Sequence, residues 1–273
     1  MNQINWYPGH MARAKRLLAD QLKNVDLVVE LCDARLPFSS RNPELGKMMD
    51  GRKRILLMNK ADLADPEITR RWLEYLRERD EKVSLCSMPR LKRAEAIRTI
   101  ENAVRDKVEK AAARGVRKTV RVMVAGVPNV GKSTFINRLH GGNIATVGDH
   151  PGVTKSNQWV KISPWLELLD TPGLLWPRLD DQGAARRLCY IGTVRDEILD
   201  LEELAACLLE ELAELKPESV AERYRIPDPK GKGIELLEAA CRGRGFLLKG
   251  GVPDFSRCAS IVLDEFRAES WGV

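Results

Sequence analysis

The stretch "VAGVPNVGKSTFINRL", residues 124–139, decides the reading of this chain. From Gly126 to Ser133 it fits G-x-x-x-x-G-K-[ST], and it follows the apolar run "VRVMVA" (120–125). The sequence therefore predicts a strand, a glycine-rich loop and a helix beginning at Lys132, the context in which this spacing binds phosphate. Glycines let successive backbone N–H groups turn toward anionic oxygens. The start of the helix adds its positive end. Lys132 is expected to reach the β- and γ-phosphates, and the Ser133 hydroxyl to ligate Mg²⁺. Asn129, Val130, Gly131, Lys132, Ser133 and Thr134 are assigned to the nucleotide.

Two further segments lie downstream. "LELLDTPG" (166–173) is an apolar strand ending in Asp170. Asp170 is expected to hold Mg²⁺ through a water, and the Gly173 N–H to contact a γ-phosphate. Between the two motifs, "GDHPGVTK" (148–155) supplies Thr154 as a second hydroxyl for Mg²⁺ and for catalysis. Upstream, "RILLMNKADLAD" (54–65) is a buried-type strand that runs into Asn59-Lys60-Ala61-Asp62. The Asp62 carboxylate can accept two hydrogen bonds from the guanine edge. Adenine has no matching pair of donors, so a site built on those bonds rejects it strongly, on the order of 10⁴-fold in comparable cases. Lys60 is expected along the base plane, and Cys86-Ser87, after a third strand, as a supporting loop.

The order is unusual, because the base reader precedes the phosphate loop. Cutting the usual fold after the DTPG region and joining its old ends gives this series, with the join in the basic stretch 107–121. The pocket is still expected at the carboxyl ends of the strands.

The rest of the chain fits that frame. Helices are predicted at 11–24, after Pro43, from Asp65-Pro66-Glu67 and over 91–113, the last closed by Gly115. Strands are predicted at 25–35, 54–58, 82–86 and 120–125, with a hairpin around Ser163-Pro164. Strands alternating with helices predict an α/β, mainly parallel sheet with flanking helices. Residues 181–273 read as helical. The expected organisation is a permuted P-loop nucleotide domain over 1–178 and a smaller all-helical domain over 179–273.

The 273 residues carry net charge +6, unevenly spread. Arg90–Arg121 holds eleven Lys or Arg against four Asp or Glu, and Glu197–Glu222 nine acids against one Lys. Arg223–Arg257 is again basic, with eight bases against four acids. Basic stripes suit a phosphate-backbone partner. No apolar run approaches the ~18 residues that span a bilayer, and "MNQINWYPGH" lacks a signal pattern. Six cysteines without paired spacing read as reduced thiols, which favours a cytosolic setting. The tryptophans, among them Trp6, Trp159, Trp165, Trp176 and Trp271, read as packing residues.

"NWYPGHMARA", "DARLPFSSRNP", "NKADL", "GVPNVGKSTFINRL" and "LLDTPGLLWP" together resemble the circularly permuted GTPases of the ribosome biogenesis GTPase A (YlqF) family. The resemblance implies GTP hydrolysis to GDP and phosphate, and a partner in the large (50S) ribosomal subunit, through rRNA and ribosomal proteins. It also implies that His10 takes part in hydrolysis. That role matters because Leu174 stands where many GTPases carry a water-positioning Gln. His150 is a weaker alternative. Turnover is therefore expected to be slow alone and raised by the ribosomal particle. Relatives with Asn at position 129 imply K⁺ stimulation through the Asn129 carbonyl oxygen. The chain is expected to be a cytoplasmic monomer, with a nucleotide-gated recruitment module of little intrinsic hydrolysis as the alternative.

Overall fold

The computed structural model describes residues 16–49, 51–145, 158–173, 175, 181–268 and 271. His10, His150, Thr154, Leu174, Trp6 and Trp176 lie outside the described residues. A helical segment over 16–22 (α1) leads into β1 (Leu27–Asp33), α2 (Pro43–Met48), β2 (Arg54–Asn59), α3 (Pro66–Arg77) and β3 (Val83–Leu85). Then come α4 (Arg93–Ala112), β4 (Val120–Ala125), α5 (Lys132–His140), β5 (Gln158–Ser163) and β6 (Leu166–Asp170). The remainder is helical: α6 (Gln182–Tyr190), a 3-10 turn Asp196–Ile198, α7 (Leu201–Leu215), α8 (Pro217–Tyr224), α9 (Gly233–Arg244) and α10 (Phe255–Ala268).

The six strands form one sheet in the order β3-β2-β1-β4-β6-β5. All neighbours are parallel except β5, which pairs antiparallel with β6 at the edge. The central strands are covered on both faces, which is why β1, β2 and β4 read as largely apolar runs. Alternate residues still choose opposite sides. Val28, Met123 and Leu169 pack with Leu18 and Leu22 of α1. Leu27, Val29, Val122 and Val124 join Ile100 and Val104 of α4 and Phe135 of α5. That second cluster continues through Val127 and Val130 of the glycine-rich loop to Ile191, Val194 and Phe266. The C-terminal helices therefore share apolar packing with the loop that leaves β4.

Local chemistry sets the helix starts. Asn42 accepts from the N–H groups of Glu44 and Leu45, and Asp65 from those of Glu67 and Ile68, each with proline at the first turn. Helix α4 is slightly shorter than its sequence suggests and ends at Ala112. The positive-φ Gly115 follows beyond the cap, where the Val116 N–H reaches back to Ala111. The chain passes from α4 to β4 through 113–119, within the stretch where the sequence places the join. Helix α7 buries Leu204, Leu208, Leu209 and Leu212 and packs against α9 and α10. Trp271 is buried and stacks on Tyr224, with ring centroids 5.8 Å apart. The six cysteines are free thiols. Among the described residues, no helix is long and apolar enough to cross a membrane, and no His/Cys/Asp/Glu cluster could hold a metal ion.

Candidate functional site

Strand register brings the motif segments to one edge of the sheet. Asp33 lies opposite Asn59, Met58 opposite Leu85, and Val124 opposite Asp170. All are at the carboxyl ends of parallel strands, where open α/β sheets bind ligands.

The glycine-rich loop leaves β4 with Gly126 at φ 148°, Asn129 at 61° and Gly131 at 95°. A Cβ on Gly126 would meet the Leu31 carbonyl oxygen at 2.4 Å, so only glycine fits there. Gly131 is the N-cap of α5 and no side chain caps that end, so the first-turn N–H groups face the loop's concavity. Such an end stabilises a bound anion. Lys132 is 6% exposed and its Nζ donates to the Val127 carbonyl at 2.8 Å. Burial pushes its ammonium down to about 8, against a smaller opposing pull from Asp170. A phosphate beside it would reverse that shift.

The Asn59 amide nitrogen donates to the Val130 carbonyl at 2.9 Å, so the Asn59–Asp62 loop is fastened directly to the glycine-rich loop. A Cβ on Gly131 would come within 2.5 Å of that nitrogen. The Ala61 N–H donates to the Cys86 carbonyl at 3.1 Å, and the Ala34 N–H to the Asn59 carbonyl at 2.7 Å. Loops from β1, β2 and β3 are thereby laced together. Lys60 adopts φ 58° and Asp62 is exposed, while Asn59 and Cys86 are buried. Among the described residues, Asn59 Oδ1 and Ser87 Oγ are buried atoms without a hydrogen-bond partner.

Ser133 Oγ donates to Asp170 Oδ2 at 3.3 Å, and Asp170 is 3% exposed. A hydroxyl and a buried carboxylate are hard oxygen donors of the kind Mg²⁺ accepts, so the pair fits that ion. Gly173 packs so tightly on the phosphate loop that an added Cβ would lie 2.6 Å from the Pro128 nitrogen.

Further contacts hold this edge together. Thr171, buried, donates its hydroxyl to the Val124 carbonyl at 2.7 Å and ties the DTPG segment to β4. The Asn129 amide nitrogen donates to the Gly192 carbonyl, just beyond α6. Arg267 of α10 holds that same region, donating to the carbonyls of Tyr190 and Cys189. Asp33 and Arg35 form an ion pair with fully buried side chains at the end of β1. The one available signal for these was charge at the end of an otherwise apolar strand.

The glycine-rich loop is thus joined through Asn59 to an Asn-Lys-x-Asp segment that precedes it in the chain. The chain belongs to the ribosome biogenesis GTPase A family. It is 40% identical to Ribosome biogenesis GTPase A of Bacillus cereus, over 98% of this chain and 92% of that relative. A family profile described as "50S ribosome-binding GTPase" matches residues 121–223, from β4 into α8. That match starts after Asn59–Asp62, in keeping with the permuted order. Among solved structures, GDP-bound YlqF from T. maritima aligns at TM-score 0.67 and 27% identity, over 92% of this chain and 94% of that one. Its GNP-bound form aligns at 0.63 and 28%, over 93% of each. The fold is a circularly permuted P-loop GTPase fold with C-terminal helices, and the chain is a GTPase. Its family uses a guanine nucleotide, typically with Mg²⁺.

Proposed function

We infer that the chain hydrolyses GTP as an assembly factor of the large ribosomal subunit, engaging rRNA in a nucleotide-dependent way. The observation that carries the nucleotide half is the Asn59–Val130 bond, which welds base reader and phosphate loop into one pocket. The partner half rests on the family, whose B. cereus member is named for ribosome biogenesis. Charge supports it: a groove of about 880 Å³ beside Met88 is edged by Arg90, Lys92, Arg93 and Arg138. Clustered cations of this kind suit a phosphate backbone.

In this reading Asn59, Lys60, Ala61 and Asp62 bind guanine, with Cys86-Ser87 alongside. Asn129 to Thr134 cradle the phosphates, and Lys132 and the Gly173 N–H meet the γ-phosphate. Ser133 and Thr154 would hold Mg²⁺ directly and Asp170 through a water, and the ion would neutralise charge that develops on the phosphates. His10 serves the attacking water. The Asn129 oxygen holds K⁺ while its amide nitrogen stays on Gly192. The nucleotide domain covers 1–178 and the helical domain 179–273, and the protein works as a cytoplasmic monomer.

The test is GTP hydrolysis with and without purified large subunits, in potassium and in sodium, with ATP as control. Stimulation by the particle with GTP alone supports the reading; indifference to subunits refutes the assembly role. The contact of Asn129 with Gly192 favours a second reading, a nucleotide-gated recruitment module. It predicts nucleotide-dependent binding to subunits, lost at high salt, with no stimulated turnover.

A further inference from the structure

Asp33 and Arg35 lie within "DARLP", a stretch with no role in the chemistry above. They sit at the end of β1, one strand away from the base reader. The Arg35 guanidinium grips the Asp33 carboxylate at two points, Nε to Oδ1 at 2.9 Å and Nη2 to Oδ2 at 2.7 Å. The Arg35 backbone N–H adds a third contact, to Oδ1 at 3.1 Å. The Asp33 N–H is held in turn by the buried Ser40 hydroxyl at 2.9 Å. Burial would push the Asp33 carboxyl up, but Arg35, aided by Lys60, more than reverses this and brings it down to about 2. The aspartate is therefore a fixed anion at neutral pH.

That anion has a second partner. Lys60 Nζ stands 3.4 Å from Asp33 Oδ2. Lys60 is the residue of the base reader that takes positive φ, a conformation costly for a side-chain-bearing residue unless its surroundings hold it. Asp33 supplies such a hold and keeps the ammonium end of Lys60 over the end of β1.

The remaining guanidinium nitrogen of Arg35 turns away from the sheet. Nη1 donates to the Phe266 carbonyl, and the guanidinium lies 4.9 Å from the centre of the Phe266 ring. Phe266 is in the last turn of α10, where carbonyls lack an intrahelical donor and the helix end carries partial negative charge. Arg35 thus caps α10 at its C-terminal end. One residue on, Arg267 braces the Gly192 region that receives Asn129. Adjacent residues of a single helix thereby reach both the base end and the phosphate end of the pocket.

We propose that Asp33 and Arg35 are positioning residues for guanine recognition, fixing Lys60 at the base and anchoring it on α10, so that nucleotide affinity and the docking of α10 are coupled. The proposal rests on the reading of Asn59–Asp62 as the base reader. By linkage the coupling acts both ways: docked α10 tightens nucleotide binding, and bound nucleotide tightens α10.

The test is a double-mutant cycle on the full chain, read as GDP dissociation constant by calorimetry and as kcat and KM for GTP. Asp33→Asn and Lys60→Met should each weaken GDP binding about tenfold, and Asp33→Asn should keep kcat at saturating GTP within about twofold. The double variant should bind no more than about twentyfold weaker than wild type, because the two residues act as one unit. Unchanged affinity in Asp33→Asn, or a roughly hundredfold loss in the double variant, overturns the proposal. Hydrogen exchange supplies an arm that does not need Asp33→Asn to fold. Saturating GDP should slow exchange at 262–268 in wild type and do so less in Lys60→Met; equal slowing in both overturns the coupling. GDP against ADP on wild type separates the two layers. Loss of guanine preference there would sink the base-reader reading itself, whereas a preserved preference with an additive cycle sinks only the positioning role.

Discussion

Lys132 should make nucleotide binding depend on pH in a range where an ordinary lysine stays charged. Burial lowers its ammonium to about 8 in the free protein, from an ordinary value of 10.5. Phosphate oxygens beside it favour the charged form and raise it again. Binding above neutrality must therefore take up a proton. With a free-state value of 8, the protonated fraction falls from about nine-tenths at pH 7 to about a quarter at pH 8.5, so GDP affinity should drop about fourfold. Uptake at pH 8.5 should be about 0.75 proton per GDP. Calorimetry at pH 8.5 in two buffers of different ionisation enthalpy measures that uptake directly. Stopping at 8.5 keeps below the range in which the guanine N1–H ionises. Lys132→Met should bind more weakly and lose the pH dependence. A dissociation constant flat from pH 7 to 8.5, without proton uptake, would refute the reasoning. The sign for folding is consistent. The unfolded chain binds more protons between pH 8 and 10.5, so the cost of burying this lysine is full at neutral pH and eases as pH rises through that window.

Other outcomes follow from close contacts. Gly173→Ala would put a methyl 2.6 Å from the Pro128 nitrogen, so the DTPG segment or the phosphate loop must shift. GTP turnover should fall at least about tenfold, measured by phosphate release, with the fold intact by circular dichroism. Asn59→Asp turns a donor to the Val130 carbonyl into a carboxylate facing that oxygen. GDP should bind about ten- to a hundredfold weaker by calorimetry, in line with about 1–3 kcal/mol for a lost buried bond. Arg41→Ala strips a partner from Glu30, whose side chain is 1% exposed, and leaves it Arg54 at 3.4 Å. The cost should be about 3 kcal/mol, a fall in Tm of roughly 6–12 °C by scanning calorimetry.

The segments of the candidate site were legible in the sequence because they are local. Gly126, Gly131 and Lys132 stand at the fixed spacing of a P-loop, and Asn59 to Asp62 follow directly on a buried strand. The strands declared themselves as Val- and Leu-rich runs between turn residues. Boundaries moved slightly for physical reasons. Val25 takes part in the turn after α1, its N–H on the Leu22 carbonyl, so β1 starts at Leu27. β3 pairs with β2 on one side only, and just three residues are in its ladder. The contacts of the C-terminal helices were not legible. Arg35 meets Phe266, and Asn129 meets Gly192, through tertiary packing that leaves no periodic trace along the chain. Charge at the end of β1 signalled that something was held there, without saying what.

The bond from Arg35 to Phe266 joins residues 231 positions apart. A growing polypeptide made at about 5–20 residues per second therefore waits roughly 10–50 seconds between exposing the first partner and adding the second. Throughout that interval Asp33, Arg35 and Lys60 must do without their anchor on helix α10. Nucleotide would be gripped firmly only once helix α10 has been made and closes the circuit.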